Sequence, residues 1–145
     1  MANTPQTYAN HTRWLPPFHY FVLPVMLINA IWSVVWCVMQ PSRNQAWWIV
    51  VSLALLLLTF LSRTQALKAQ DRVIRLEERI RYQQLLPADL ARQAASLTIG
   101  QIIALRFAAD EELAGLIAEV LAGKFTKPDE IKRAIKNWRA DDLRV

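Results

Sequence analysis

The side chains that could perform acid–base or metal chemistry are few and far apart in the sequence. The two histidines, His11 and His19, lie near the N-terminus, and with Tyr8 they could ligate a metal or respond to pH. No acid or thiol accompanies them, so local hydrogen bonds are the simpler explanation. The acids at 110–112 are likewise explained by the helix dipole, which favours carboxylates in a first turn by about 0.3–1 kcal/mol each.

The short motifs that mark common catalytic or nucleotide-binding sites are missing from the sequence. It has no P-loop, dinucleotide-binding, zinc-protease or serine-hydrolase pattern, and its three glycines cannot build a loop that cradles phosphate. We therefore predict a protein that is not an enzyme, with no catalytic residue, no metal ligand and no cofactor. What the sequence does define is an all-helical architecture.

Two apolar segments without charge predict two membrane-spanning helices. They are 18–39 and 46–61. The first is long enough, at about 1.5 Å per residue, to cross a hydrocarbon core of about 30 Å. The second becomes long enough when Ser62 is included and Arg63 extends its charge to the headgroups. Because the link Gln40–Gln45 is short and rich in turn formers, we expect an antiparallel helical hairpin.

The distribution of basic residues predicts the orientation of this hairpin. Only Arg43 lies in the link between the spans, whereas six basic residues flank the spans on the side of the termini: Arg13, Arg63, Lys68, Arg72, Arg75 and Arg79. The positive-inside tendency therefore places both termini in the cytoplasm, with the spans in the bacterial inner membrane. Neither span has a charge in its middle, which argues against an independent ion-coupled carrier.

Small and polar side chains mark one face of the first span. Asn29, Ser33 and Cys37 are spaced four residues apart, and Cys37 is the only cysteine, so it has no internal disulfide partner. This face indicates a transport path or an oligomer contact, or else ordinary packing with hydrogen bonds to Ser52 or Thr59 of the second span. We favour packing, because such bonds contribute only about 0.6 kcal/mol on average.

The second span continues as a predicted helix beyond the membrane. No Gly or Pro interrupts the chain between Thr59 and Pro87, so we expect a helix over 47–86 that ends near Pro87 and forms a stalk. A heptad pattern of fewer than three repeats runs along it: Ala66, Ala69, Val73, Leu76, Ile80 and Gln83. Val73, Leu76 and Ile80 are the candidate contact, with a second copy, the C-terminal segment or another membrane protein as possible partners.

A basic stripe occupies a different face of the stalk. It consists of Lys68, Arg72, Arg75 and Arg79. One interpretation is binding to anionic lipid headgroups, and the other is a positive-inside anchor without specific binding. We favour the anchor, because each basic side chain near the surface contributes only about 1 kcal/mol.

Beyond Pro87 the sequence predicts a small helical bundle. Three helix starts are indicated, at Thr98 with Gln101, at Asp110, and at Thr126 with Pro128, and Gly123 indicates a stop. Apolar faces are supplied by Ile102, Ile103, Leu105, Phe107, Leu113, Leu116, Ile117, Val120, Leu121, Ile131, Ile135 and Trp138. So small a core favours docking on the stalk or dimerisation.

The charges of the bundle nearly cancel, which disfavours nucleic acid as a partner. The basic side chains of its last helix could still touch phosphates: Lys132, Arg133, Lys136 and Arg139. The predicted domains are a cytoplasmic N-terminal segment at 1–17, the transmembrane hairpin at 18–62, the stalk at 63–86 and the bundle at 87–145. The predicted partners are membrane lipid and either a second copy or another membrane protein.

Four stretches, spread from residue 8 to residue 145, resemble a known family. They are "YANHTRWLPPFHYFVLP" from Tyr8, "LKAQDRVIRLEERIR" from Leu67, "LTIGQIIALRFAADEEL" from Leu97 and "IKRAIKNWRADDLRV" from Ile131. The family is one of small bacterial membrane proteins with two spans and a cytoplasmic helical tail. The resemblance implies this fold and no activity, since the family has none established.

The expected function is that of an integral inner-membrane interaction or scaffold protein. An accessory subunit of a transport or envelope complex is the first alternative. A membrane-tethered binder of lipid surfaces or nucleic acid is the second alternative.

Overall fold

The computed structural model describes residues 6–9 and 14–141 of the chain, and most of these are helical. A π-helical stretch, Pro17–Val22, leads into α1 (Leu23–Met39), which is followed by α2 (Arg43–Leu85), α3 (Ala88–Gln93), a 3-10 turn (Ala94–Ser96), α4 (Ile99–Leu105), α5 (Asp110–Leu121) and α6 (Pro128–Ala134). The described residues contain no strand, only an isolated antiparallel bridge between Ala108 and Trp138. The predicted all-helical fold is confirmed for this part of the chain.

The described residues form two compact units. One consists of residues 14–67, and the other joins residues 6–9 to residues 68–141. We call the first the apolar unit and the second the C-terminal unit. Two helices are long and apolar enough to cross a membrane by length and composition, namely Pro17–Met39 and Arg43–Leu85.

The link between these two helices is shorter than the sequence predicts. Only residues 40–42 lie outside the helices, because α2 already begins at Arg43. Ser42 caps this start: its Oγ accepts a hydrogen bond from the Gln45 backbone N–H at 3.1 Å. A serine hydroxyl satisfies an otherwise unpaired amide of the first helical turn, which explains the early start.

The π-helical stretch lies directly before Pro24. Leu23 donates its backbone N–H to the Phe18 carbonyl, five residues earlier. Pro24 has no N–H to offer the Tyr20 carbonyl, and its ring would crowd that oxygen in a regular α-helix. A widened turn before the proline accommodates both effects.

The C-terminal unit has one hydrophobic core, to which α3–α6 and the end of α2 contribute. Its buried members are Tyr82, Leu86, Ala94, Leu97, Ile102, Ala104, Leu105, Phe107, Ala108, Leu113, Leu116, Ile117, Val120, Ile131 and Ile135. Tyr82 and Leu86 belong to α2 and its end, so the last turns of that helix pack against the short helices. This packing enlarges a core that the short helices alone would leave small.

Local capping motifs mark the start of α4 and the end of α5, where the sequence predicts them. Thr98 and Gln101 form a reciprocal capping box at the start of α4. Gly123 ends α5 with a φ of 79°, and the amides of Gly123 and Lys124 donate to Val120 and Glu119. This pattern is a Schellman motif, in which glycine adopts the left-handed conformation without a steric penalty.

The last helix is shorter than its apolar positions indicate. Ile131, Ile135 and Trp138 have helical spacing, but α6 ends at Ala134. Beyond it the chain pairs with residues 107–109, where Arg139 N–H donates to the Phe107 carbonyl at 2.8 Å and Ala109 N–H donates to the Asn137 carbonyl at 3.0 Å. Trp138 therefore packs on Phe107 from an extended segment, with 4.9 Å between ring centroids.

Candidate functional site

A polar cleft of about 480 Å³ lies in the C-terminal unit, and we call it the ionic cleft. It is lined by Ile74, Glu77, Glu78, Arg81, Gln84, Leu85, Arg106, Asp110, Arg139, Ala140 and Asp141. Three elements supply these residues: the last turns of α2, the segment from the end of α4 to the start of α5, and the extended chain after α6. Acids and arginines alternate around it, so its chemistry is that of ion pairs.

Arg81 is the centre of the ionic cleft. Its Nη1 lies 3.1 Å from Glu78 Oε2, and its Nη2 lies 2.5 Å from Asp110 Oδ1. Nη2 also donates to the Ala108 carbonyl at 2.7 Å. The side chains of Arg81 and Glu78 are only 9% and 5% exposed. One buried guanidinium thus joins α2 to the start of α5 and to the segment that precedes it.

Glu78 is the buried acid of this cluster. Its second oxygen lies 3.5 Å from Arg139 Nη1. Burial raises the pKa of the Glu78 carboxyl above its ordinary value of 4.5, because the loss of water outweighs the attraction of Arg81 and Arg139. Burial, and then the charge of Glu78, raise the pKa of the neighbouring Tyr82 hydroxyl as well. Ionised Glu78 is therefore a costly group that its arginine partners compensate only in part.

A separate ion pair holds the last described residue, Asp141. Arg106 Nε lies 3.1 Å from Asp141 Oδ2, and the Arg106 guanidinium stacks 4.5 Å from the centroid of the Phe107 ring. The Arg106 side chain is 7% exposed. Water is largely excluded from the Arg106 guanidinium, so loss of Asp141 would leave a poorly solvated charge.

The acids of the first turn of α5 also make long-range contacts. Asp110 pairs with Arg81, and the Glu112 carboxylate accepts backbone N–H groups from Lys136 at 3.1 Å and Asn137 at 3.0 Å. In the sequence analysis, the helix dipole alone accounts for these acids. The structure adds that Glu112 holds the chain after α6, which is a physical reason for the early end of that helix.

Residues of the N-terminal segment attach to the C-terminal unit. The Tyr8 hydroxyl donates to Asp129 Oδ1 at 2.8 Å and accepts from Arg133 Nε at 3.1 Å. Gln6 Oε1 accepts the Asp141 backbone N–H at 2.8 Å. Nothing in the sequence indicated this contact, because the two partners are more than 100 residues apart.

The polar residues predicted on the apolar helices make one contact with each other. Asn29 Nδ2 donates to Ser52 Oγ at 2.9 Å, whereas Ser33 and Thr59 donate to carbonyls of their own helices. Cys37 is a half-buried free thiol. A pocket of about 270 Å³ in the apolar unit is lined by Asn29, Trp32, Ser33, Trp36, Gln45, Trp48 and Ser52.

The predicted stalk contact is exposed in the single chain. Val73, Leu76 and Ile80, which we call the apolar strip, are 53%, 62% and 48% exposed. On the same helix Ile74 and Tyr82 are 5% and 3% exposed. The C-terminal unit therefore packs on another face of α2, and its own helices do not cover the apolar strip.

The basic stripe lies beside the apolar strip. Arg72, Arg75 and Arg79 line a groove of about 240 Å³ together with Leu76, and Lys68 is exposed one turn earlier. The described residues contain no group of three or more His, Cys, Asp or Glu side chains that could hold a metal ion. His19 Nδ1 contacts the Leu15 backbone, while His11 and Arg13 lie outside the described residues.

Fold and site together define an all-helical protein with two long apolar helices and a compact unit tied by buried ion pairs. Over residues 1–145 the chain matches a family of unknown function, DUF6526, and it belongs to that family. No curated protein and no solved structure matches it.

The buried carboxyl of Glu78 and the capping carboxyl of Glu130 predict opposite dependences of folding stability on pH. Because the folded pKa of Glu78 is raised, the folded state holds this proton to a higher pH than the unfolded state does, and stability falls as pH rises from 4.5 through the folded value. Glutamine does not titrate, so Glu78→Gln lacks this pH-dependent contribution to the free energy of unfolding. Relative to Glu78→Gln, the wild-type protein should therefore lose free energy of unfolding as pH rises, as measured by urea unfolding of the full chain in mild detergent.

Glu130 is the matched control, since backbone N–H groups of Thr126 and Lys127 lower the pKa of its carboxyl. Its contribution to stability is present above the ordinary value of 4.5 and is lost as pH falls through the folded value. Relative to Glu130→Gln, the wild type should therefore gain stability as pH rises. Trends of the same sign for both variants would contradict the account of Glu78.

Proposed function

We propose that the chain is a non-enzymatic integral membrane protein that acts as an interaction or scaffold element in the bacterial inner membrane. The helices Pro17–Met39 and Arg43–Leu85 support the membrane part. Each contains an apolar stretch of 18 residues, with a mean hydropathy of 2.2 in the first helix and 1.9 in the second. Only 11% of each apolar stretch is buried inside the structure, whereas the core helix of a soluble domain is mostly buried. In this proposal lipid covers their exposed apolar side chains.

In the proposed arrangement α1 and the first part of α2 form a transmembrane hairpin, and α2 continues as a cytoplasmic stalk. The excess of basic residues on the side of the termini supports this orientation, because Arg43 alone lies at the link. The Arg63 guanidinium, 6.0 Å from the centroid of the Phe18 ring, suits a cation at the inner headgroup region.

The exposure of the apolar strip is the observation that supports an interaction role most directly. Val73, Leu76 and Ile80 remain in contact with solvent although the same helix buries Ile74 and Tyr82 in the C-terminal unit. Exposed apolar side chains in a row on a helix are typical of a protein contact. The proposed role of the C-terminal unit is to hold this helix so that the apolar strip faces a partner.

The orientation predicts the behaviour of reporter fusions. Alkaline phosphatase fused after Val145 should be inactive, because the enzyme needs the periplasm, whereas green fluorescent protein fused there should fluoresce. Alkaline phosphatase inserted at Ser42 should be active. Phosphatase activity at Val145 together with a dark fluorescent fusion would contradict both the orientation and the cytoplasmic stalk.

The interaction role predicts a particle larger than one chain. The tagged protein, extracted from cell membranes in mild detergent, should have a protein mass above that of the monomer. Replacing Leu76 and Ile80 by serine should reduce that mass, because the contact loses its apolar side chains. Ile99→Ser is the control, since Ile99 is 41% exposed and belongs to α4, whereas the apolar strip belongs to α2. An equal mass for the wild type and the double variant would mean that the apolar strip is not a contact.

A further inference from the structure

We propose that the apolar strip binds the same strip of a second copy, with the two α2 helices parallel. This inference rests on the proposed membrane function and names the partner of the contact described there. The apolar strip consists of Val73, Leu76 and Ile80, and Ala69 and Gln83 extend it as exposed residues at the same heptad positions. These residues occupy positions a and d of a heptad, which meet in a two-stranded coiled coil.

The C-terminal unit leaves this face of α2 free. At about 100° per residue, Leu76 points nearly opposite to Ile74 and Glu78. Ile74 and Glu78 are buried at 5% and 4% exposure, whereas Leu76 is 62% exposed. A second helix can therefore approach α2 from the outer side without displacing the helices that pack on its inner side.

Charges beside the apolar strip identify a second copy as its occupant. With Val73 at position a, Arg72 is at g and Glu77 is at e. In a parallel pair the g residue of one helix lies beside the e residue five positions later on the other. Arg72 of each copy therefore meets Glu77 of the other, and twofold symmetry forms this pair twice.

The same charges select the parallel direction. An antiparallel pair would bring g beside g, so Arg72 of one copy would approach Arg79 of the other and repel it. Arg72 and Glu77 are both exposed, and neither has an ion-pair partner among the described residues. Two copies anchored in one membrane with the same orientation also present their α2 helices in parallel.

Disulfide trapping in membranes tests the pairing. In a Cys37→Ser background, Leu76→Cys should form a disulfide-linked dimer on mild oxidation, because d residues face each other across the twofold axis. Arg75→Cys is the matched control: it is the neighbouring exposed residue, but at position c it points away from the second helix, so it should stay monomeric. Absence of a Leu76→Cys dimer, or equal trapping of both variants, would overturn the proposal.

A charge exchange tests the parallel register independently. Arg72→Glu or Glu77→Arg alone should weaken dimerisation of the purified full chain in mild detergent by about 5-fold, since two exposed pairs become repulsive. The double variant R72E/E77R should restore the wild-type dissociation constant, whereas Arg75→Glu should leave it unchanged. A double variant no better than either single variant would contradict the register.

These experiments distinguish failure of the self-pairing from failure of the proposed membrane function. A particle above monomer mass that shrinks on serine substitution of the apolar strip, but contains one copy of the chain, would uphold the interaction role and refute self-pairing. Phosphatase activity at Val145 would instead refute the membrane arrangement itself.

Discussion

The buried guanidinium of Arg81 is the interaction on which the C-terminal unit depends. It bonds a carboxylate on its own helix, a carboxylate at the start of α5 and a backbone carbonyl before α5. A buried charge is costly unless it is paired and hydrogen-bonded, so these contacts form together or the helix cannot bury this face. The position of Arg81 therefore decides which side of α2 faces the core.

Burial of one side of α2 also determines which of its side chains remain exposed. With Ile74, Glu78 and Tyr82 buried, helical geometry directs Val73, Leu76 and Ile80 outward. Two further contacts hold the chain after α6. Arg106 pairs with Asp141, and the Glu112 carboxylate accepts the backbone N–H groups of Lys136 and Asn137. The ionic cleft thus has a structural role: it holds a helix whose other side presents the exposed apolar strip.

Features that depend on near neighbours in the chain could be predicted from the sequence. The capping box of Thr98 with Gln101 and the helix stop at Gly123 involve residues within a few positions, so the motif contains the whole interaction. Apolar periodicity predicted most of the core for the same reason. The candidate strip Val73, Leu76 and Ile80 was also visible as a heptad pattern, and the structure adds that it is exposed.

Features that depend on distant residues could not be predicted. Arg81 bonds Asp110, which lies 29 residues away, in addition to Glu78 on its own helix, because burial of that face brings the start of α5 beside α2. Tyr8 contacts Asp129 and Arg133 across most of the chain. The helix after Pro128 stops early because Glu112, on another helix, holds the amides that follow. No local pattern encodes these three contacts.

The measurement that tests this account most directly compares Arg81→Met with Arg79→Met in the full chain in mild detergent, by hydrogen exchange in α4 and α5. Arg81→Met leaves Glu78 buried beside the more distant Arg139, so the free energy of opening should fall by about 3–5 kcal/mol. Arg79 is exposed on the same helix, and its replacement should change that free energy by at most about 0.5 kcal/mol. Equal protection of α4 and α5 in the two variants would contradict the claim that Arg81 holds the unit together.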